Sequence, residues 1–364
     1  MMTAASELKP AFALAGEWVK EGIVPGVSVA VGRHGKLLGA FTAGKKSAGG
    51  GGPVDEETLY PVASVTKPFT AALVMRMVDQ GALTLDEPLR RLVPGLSADK
   101  RDLNLRDLLC HTSGLASDDP DEPALWEREA TFNDIVASAA ALPAVTAPRQ
   151  RVLYSNSGYW IADAAAAAAA GITFPEAMRR EVLEPCGLRE VFAAPDEALA
   201  DRFARRYGKT KIMNVPYGRA LASPAGGLFA TARDLVRFAG IFLNGGDTPE
   251  GERVLSRSAV SLMTTSQTGA LPGGIERFRE WPVGSWGLGW EVKGDKSDHW
   301  TGDFTSPDTF SHPGQAGTLY WADPATGIAC AILANRDLYT SWTFKPARWA
   351  RLNNAIVAAV TRSS

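Results

Sequence analysis

Apolar residues recur at helical spacing over residues 6–21, and the pattern predicts an amphipathic helix with Leu8, Phe12, Leu14 and Trp18 on its core side. Pro25-Gly26 ends it. Residues 27–31 and 37–41 then read as two strands around Arg33-His34-Gly35-Lys36, a hairpin with His34 as a turn residue. Residues 58–62 lead into a helix that carries Phe69, Ala72, Leu73, Met75, Met77 and Val78 and stops at Gly81. Pro68 fits the first turn of that helix, where a missing N–H costs little, and so places its start close to Ser64.

From residue 83 to about 188 the signals are mostly helical, broken by Pro and Gly. They include an amphipathic turn at 103–109 and helices at 132–142 and 158–170; a further helix covers 234–243 and stops at Asn244-Gly245-Gly246. After Trp281 the character changes. Glycines and tryptophans (281, 286, 290, 300, 321) become frequent, 318–321 and 328–333 read as strands, and 348–360 closes the chain as a helix. Strands and a helix therefore stand at both ends with helices between. The arrangement predicts a discontinuous α/β lobe from 1–62 and 283–364, a mainly helical lobe from 63–282, and an active site between them.

Composition narrows the function classes. The chain has 364 residues, 45% hydrophobic and 21% charged, as expected for a globular protein with a large core. A formal net charge of −2 argues against a nucleic-acid footprint. Cys110, Cys186 and Cys330 are odd in number and widely spaced, and are expected to be buried thiols. The N-terminal ten residues lack a basic region followed by an apolar run, so no signal peptide and a cytoplasmic location are expected. The most apolar tract, 164–170, is too short to span a bilayer. The glycines at 49–52 precede no Gly-Lys-Ser/Thr, which leaves a flexible loop and no phosphate cradle. The four histidines are too scattered for a metal site.

Three clusters carry candidate chemistry. Ser64 and Lys67 fall one helical turn apart, on one face, at the end of a helix whose unpaired N–H groups favour an oxyanion. A surface helix cap gives the same spacing. Tyr154-Ser155-Asn156 places a phenol and a carboxamide in a loop entering a helix, where a nearby ammonium can turn the phenol into a proton acceptor; a core tyrosine with an Asn cap is the alternative. His312-Pro313-Gly314 reads as a strand end whose glycine admits substrate to the backbone, or as a plain turn.

Taken together, these residues resemble the serine β-lactamase and penicillin-binding-protein superfamily, in the branch with class C β-lactamases, D-Ala-D-Ala carboxypeptidase-like proteins and family VIII carboxylesterases. The resemblance runs from about residue 25 to 358. Leu108-Leu109-Cys110-His111-Thr112-Ser113-Gly114-Leu115, Ser223-Pro224-Ala225-Gly226-Gly227-Leu228 and Trp286-Gly287-Leu288-Gly289-Trp290 match as well. It implies an α+β fold, an antiparallel sheet flanked by helices with a mainly helical lobe inserted. It implies that Ser64 is the acylated nucleophile and that Lys67 and Tyr154 share the base role, with the first proton acceptor left open between them. Asn156 would orient Lys67 or the substrate, and the backbone N–H groups of Ser64 and Gln315, after His312 and Gly314, would form the oxyanion hole. No cofactor is implied, and the partner is a small-molecule ester or amide.

One residue departs from the β-lactamase pattern. His312 stands where those enzymes usually carry a lysine, and a histidine is mostly uncharged near neutral pH. The expectation is a carboxylesterase with weak or no β-lactamase activity. The competing readings are a D-amino-acid peptidase or amide hydrolase, a β-lactamase, and a non-hydrolytic penicillin-binding protein. An α/β-hydrolase esterase is disfavoured because no Gly-x-Ser-x-Gly elbow occurs. Trp281, Trp286, Trp290 and Trp300 fit a cleft wall or a core equally; His111 is expected to be structural and His299 has no assigned role.

Overall fold

The computed structural model describes residues 4–209, 211–276, 278–338 and 347–362. Six strands form the main sheet: β1 (Gly26–Arg33), β2 (Lys36–Gly44), β3 (Glu291–Val292), β4 (Phe310–Gly314), β5 (Thr318–Asp323) and β6 (Ile328–Ala334). Their order is β2-β1-β6-β5-β4-β3, and every neighbouring pair is antiparallel. The hairpin between β1 and β2 pairs Arg33 with Lys36 across two residues with positive φ, His34 at 50° and Gly35 at 77°. That is the twist-matched geometry of a two-residue turn.

Helices α1 (Lys9–Lys20), α2 (Lys67–Asp79), α3 (Leu105–Leu109), α4 (Phe132–Ala141), α5 (Asn156–Ala170), α6 (Ala232–Leu243) and α7 (Ala347–Thr361) complete the framework. Alternation along the strands sends residues to two faces. Val27, Val29, Val31, Leu319, Trp321 and Ile332 pack outward on α1 and α7. Ala30, Tyr320, Ala322, Ala329 and Ala331 face inward, towards Phe69 of α2 and Leu235 and Phe238 of α6. The small inward residues leave room for α6, which lies on β1, β5 and β6 although it belongs to the middle of the chain.

Several expectations shift. Leu14 is 39% exposed, because it stands about 200° round the helix from Phe12 while Ala11 and Ala15 take the core positions beside Phe12. Helix α5 starts at Asn156, two residues earlier than the apolar pattern suggests, since Ser155 caps it by accepting the Gly158 N–H at 3.0 Å. Trp281, Trp286, Trp290 and Trp300 are all buried, as packing residues. All three cysteines are free and buried.

Behind β4 lies a buried polar knot. Glu291 accepts from Ser311 Oγ (2.8 Å), pairs with His299 Nε2 (2.8 Å) and bonds Lys296. Burial opposes the Glu291 charge, but His299 and Lys296 outweigh it and hold the carboxyl at about 2. Glu291 thereby ties β3 to β4 through Ser311, and His299 is a structural residue that holds Glu291. Among the described residues, no helix is long and apolar enough to cross a membrane.

Candidate active site

The chain enters the Ser64 turn under strain. Ala63, a residue with a Cβ, has φ of 50°, and a 3-10 turn over Ala63–Thr66 then opens into α2. A left-handed alanine costs about 1 kcal/mol or more. Two bonds hold the turn: Thr66 Oγ1 accepts the Leu228 N–H (3.1 Å), and Thr70 Oγ1 donates to Pro224 O (2.6 Å). Residues 223–228 are thus strapped along α2, which brings Ala225 O over Lys67.

Lys67 is wholly buried. Its Nζ donates to Asn156 Oδ1 at 2.6 Å and to Ala225 O at 2.7 Å, and lies 3.3 Å from Ser64 Oγ. The same nitrogen stands 4.7 Å from the centre of the Tyr154 ring. Burial pulls the ammonium down to about 7, against the opposing carboxylates of Asp118 and Glu122. Half-buried Ser64 and the buried Tyr154 both line a cleft of about 480 Å³. Ser64, Tyr154 and Asn156 therefore line one cleft, with Lys67 buried behind them and bonded to Ser64 and Asn156.

Tyr154 is held from behind. The His111 ring lies 4.4 Å from it, centre to centre, that of Trp286 5.8 Å and that of His312 5.9 Å. His111 has φ of 60°, and its Nδ1 accepts the Ser155 N–H at 3.1 Å. That bond fixes the tautomer with the proton on Nε2. Burial, reinforced by Lys67, keeps this imidazole uncharged.

His312 and Gly314 do not line the cleft, whereas Pro313 and Gln315 do. His312 is fully buried, and its Nδ1 donates to Pro313 O at 2.8 Å. Burial and the nearby Lys67 hold it at about 3, so it is neutral. A Cβ on Gly314 would lie 2.1 Å from Thr318 Oγ1 and 2.4 Å from Val62 O. The glycine thus admits the nucleophile turn to β4, where Thr318 Oγ1 donates to Val62 O at 2.8 Å. The expected opening to substrate gives way to this packing role. Among the described residues, no protein oxygen accepts the backbone N–H of Ser64 or of Gln315.

Other cleft residues carry no motif. Trp126, Ile135, Trp160, Met213 and Leu221 are apolar lining residues, and Asp118, Asp119, Glu122, Ile275, Glu276 and Phe278 line the cleft as well. Trp160 had a usable sequence signal, since it lies four residues after Asn156 on the same helical face. Trp126 had none.

Comparison with known proteins identifies the family of the chain. The beta-lactamase family matches residues 13–353. Penicillin-binding protein 4 of Amycolatopsis lactamdurans is 30% identical over 332 residues, covering 88% of this chain and 83% of its own. The Mycobacterium tuberculosis protein named Esterase/beta-lactamase LipL is 27% identical, over 79% of this chain and 71% of its own. A crystal structure of a family VIII carboxylesterase superposes with a TM-score of 0.81 at 22% identity, covering 98% of each chain, a likeness of fold. The protein is a serine hydrolase, and the chain belongs to the beta-lactamase family.

Proposed function

We propose that the protein is a carboxylesterase acting through an acyl-enzyme on Ser64, with weak or no β-lactamase activity, in a cleft between the 1–62/283–364 lobe and the 63–282 lobe. The observation that carries this reading is the buried Lys67 amine, brought to about 7 by burial and 3.3 Å from Ser64 Oγ. An amine in that state is neutral often enough near neutral pH to act as a base.

Ser64 Oγ attacks the ester carbonyl and gives its proton to Lys67. The carbonyl oxygen becomes an oxyanion facing the N–H groups of Ser64 and Gln315, each such donor contributing about 3 kcal/mol in the transition state. The carbon–oxygen bond of the tetrahedral intermediate then breaks. The leaving alkoxide takes a proton through Tyr154, which Lys67 replenishes. Water attacks the acyl-enzyme by the same steps reversed, releasing the acid and restoring Ser64. Asn156 holds Lys67 in place throughout, with Asp118 Oδ1 accepting from Asn156 Nδ2 at 2.5 Å.

The preference for esters rests on charge. His312 is neutral and out of contact with the cleft, so it supplies no cation for a substrate carboxylate. The cleft lining also carries the acids Asp118, Asp119 and Glu276, which would repel one.

Intact-protein mass after mixing with a short p-nitrophenyl ester and, separately, a penicillin, with product release followed, tests this. Steady ester turnover with little penicillin consumed, abolished in Ser64→Ala, is the expected result. A long-lived penicillin adduct without ester turnover would place the protein with the non-hydrolytic binders, and labelling that persists in Ser64→Ala would remove the nucleophile assignment.

A further inference from the structure

The chain holds 40 Asp and Glu residues, yet none occurs between Asp201 and Asp234. Arg205, Arg206, Lys209 and Lys211 fall close together in that stretch. The fold sorts the residues of this loop into two sets. Arg206, Ile212 and Met213 line the cleft, and Arg206 pairs with the buried Asp337 at 3.8 Å. Arg205, Tyr207, Lys209, Lys211 and Val215 are exposed, Tyr207 to 47% and Val215 to 45%.

The outward set is held in place by backbone bonds to the residues that follow β6. The Tyr207 N–H donates to Asn335 O (2.8 Å), the Asp337 N–H to Tyr207 O (2.9 Å) and the Lys209 N–H to Asp337 Oδ2 (2.7 Å). The Leu338 N–H donates to Gln315 O at 2.8 Å, which moors the same segment beside the cleft. Asn335 Nδ2 also donates to Lys45 O at 3.1 Å and so adds exposed Lys45 to the group. The Arg336 guanidinium lies 5.4 Å from the centre of the Tyr207 ring and steadies it.

Among the described residues, Lys45, Arg205, Lys209 and Lys211 form no ion pair, whereas Lys46 pairs with Asp55 at 3.4 Å. Asp201 is exposed at the start of the run, and the cleft acids Asp118 and Glu276 belong to other loops. Four uncompensated cations interleaved with an exposed aromatic and an exposed aliphatic side chain match a surface that is anionic outside and apolar beneath. A polyanion such as a nucleic acid would use the cations and gain nothing from Val215.

We propose that Lys45, Arg205, Tyr207, Lys209, Lys211 and Val215 form a docking surface for an anionic lipid membrane. The cations meet the headgroups, Tyr207 and Val215 enter the interfacial layer, and the cleft is held next to the bilayer. This surface does not depend on the Ser64 hydrolase reading.

Cosedimentation with vesicles of phosphatidylcholine alone, and of equal parts phosphatidylcholine and phosphatidylglycerol, tests it. At low salt, partition onto the anionic vesicles is expected to exceed that onto the neutral ones by about tenfold or more, and high salt should remove the difference. Lys209→Gln combined with Lys211→Gln is expected to weaken partition by about tenfold or more, since each cation near the surface contributes about fivefold. Tyr207→Ser should weaken it as well, and both variants should melt as the wild-type protein does. Equal partition onto the two kinds of vesicle, or partition unchanged in the double lysine variant, would overturn the inference. Partition unchanged by Tyr207→Ser would make this a general polyanion surface and overturn the lipid assignment.

Discussion

Lys67 and Asn156 stand 89 residues apart in the chain and are joined by a 2.6 Å hydrogen bond. The amide oxygen accepts without adding charge, so burial, opposed by the acids Asp118 and Glu122, sets where Lys67 loses its proton. Because burial lowers that point to about 7, the neutral amine predominates above it and the ammonium below. The kcat/KM of a neutral ester should therefore rise with pH through a single midpoint near 7 and then level. Asn156→Asp would set an anion against the amine and favour the ammonium. The midpoint should move up and the rate at neutral pH fall by about tenfold or more, because the neutral amine becomes about tenfold scarcer for each pH unit that the midpoint rises. A pH–rate profile of both proteins checks this; a midpoint unmoved in the variant would show that Lys67 is not the group being titrated.

His111 contributes through Tyr154. His111→Phe keeps a ring of similar size but leaves the Ser155 N–H without its acceptor, at a cost of about 1–3 kcal/mol. Turnover should fall more than KM changes, since the loss is in the aim of Tyr154. Denaturant melts and steady-state kinetics measure the two effects. Unchanged kcat in a protein with that loss of stability would confine His111 to a structural role.

At Gly314 even one methyl is excluded by Thr318 Oγ1 and Val62 O. Gly314→Ala should push β4 from the Ser64 turn, destabilise the fold by about 1–3 kcal/mol, and reduce acylation by a short ester. Thermal denaturation and burst kinetics report these. A variant with wild-type stability would mean that the turn yields more easily than its packing implies.

His312→Lys tests whether a charge at this position confers β-lactam recognition. The residue is buried behind Tyr154 and beside Lys67, so a second ammonium there would be desolvated and repelled at a cost of several kcal/mol. The expected outcome is a lower melting temperature, slower ester turnover and no gain in penicillin hydrolysis. A penicillinase gain without destabilisation would show that the side chain can reach the cleft.

Much of this was legible in the sequence because the local chemistry is strict. The Ser64–Lys67 spacing needs a helical turn, the strand at 328–333 is apolar on both faces because it lies at the sheet centre, and His34-Gly35 has the residues a tight hairpin tolerates. What was hidden depends on long-range packing. Nothing in the run containing Ala225 says that its carbonyl caps Lys67, because the bond spans 158 residues. The repeated tryptophans suggested a cleft as readily as a core, since apolar bulk suits both. His312 carries the same letter whether exposed or buried, and its burial decides its charge.

The order of the strands bears on how the chain is made. β1 lies between β2 and β6, and the Gly26 N–H bonds the side chain of Asn335 across 309 residues. During synthesis the β1–β2 hairpin emerges before β6, with Val27, Val29 and Val31 along an edge that has no partner until β6 has been made. Such an edge invites pairing with other chains and draws chaperones. The candidate catalytic groups are drawn together around a sheet that only β5 and β6 can complete, so activity should appear in one step once β6 has paired with β1.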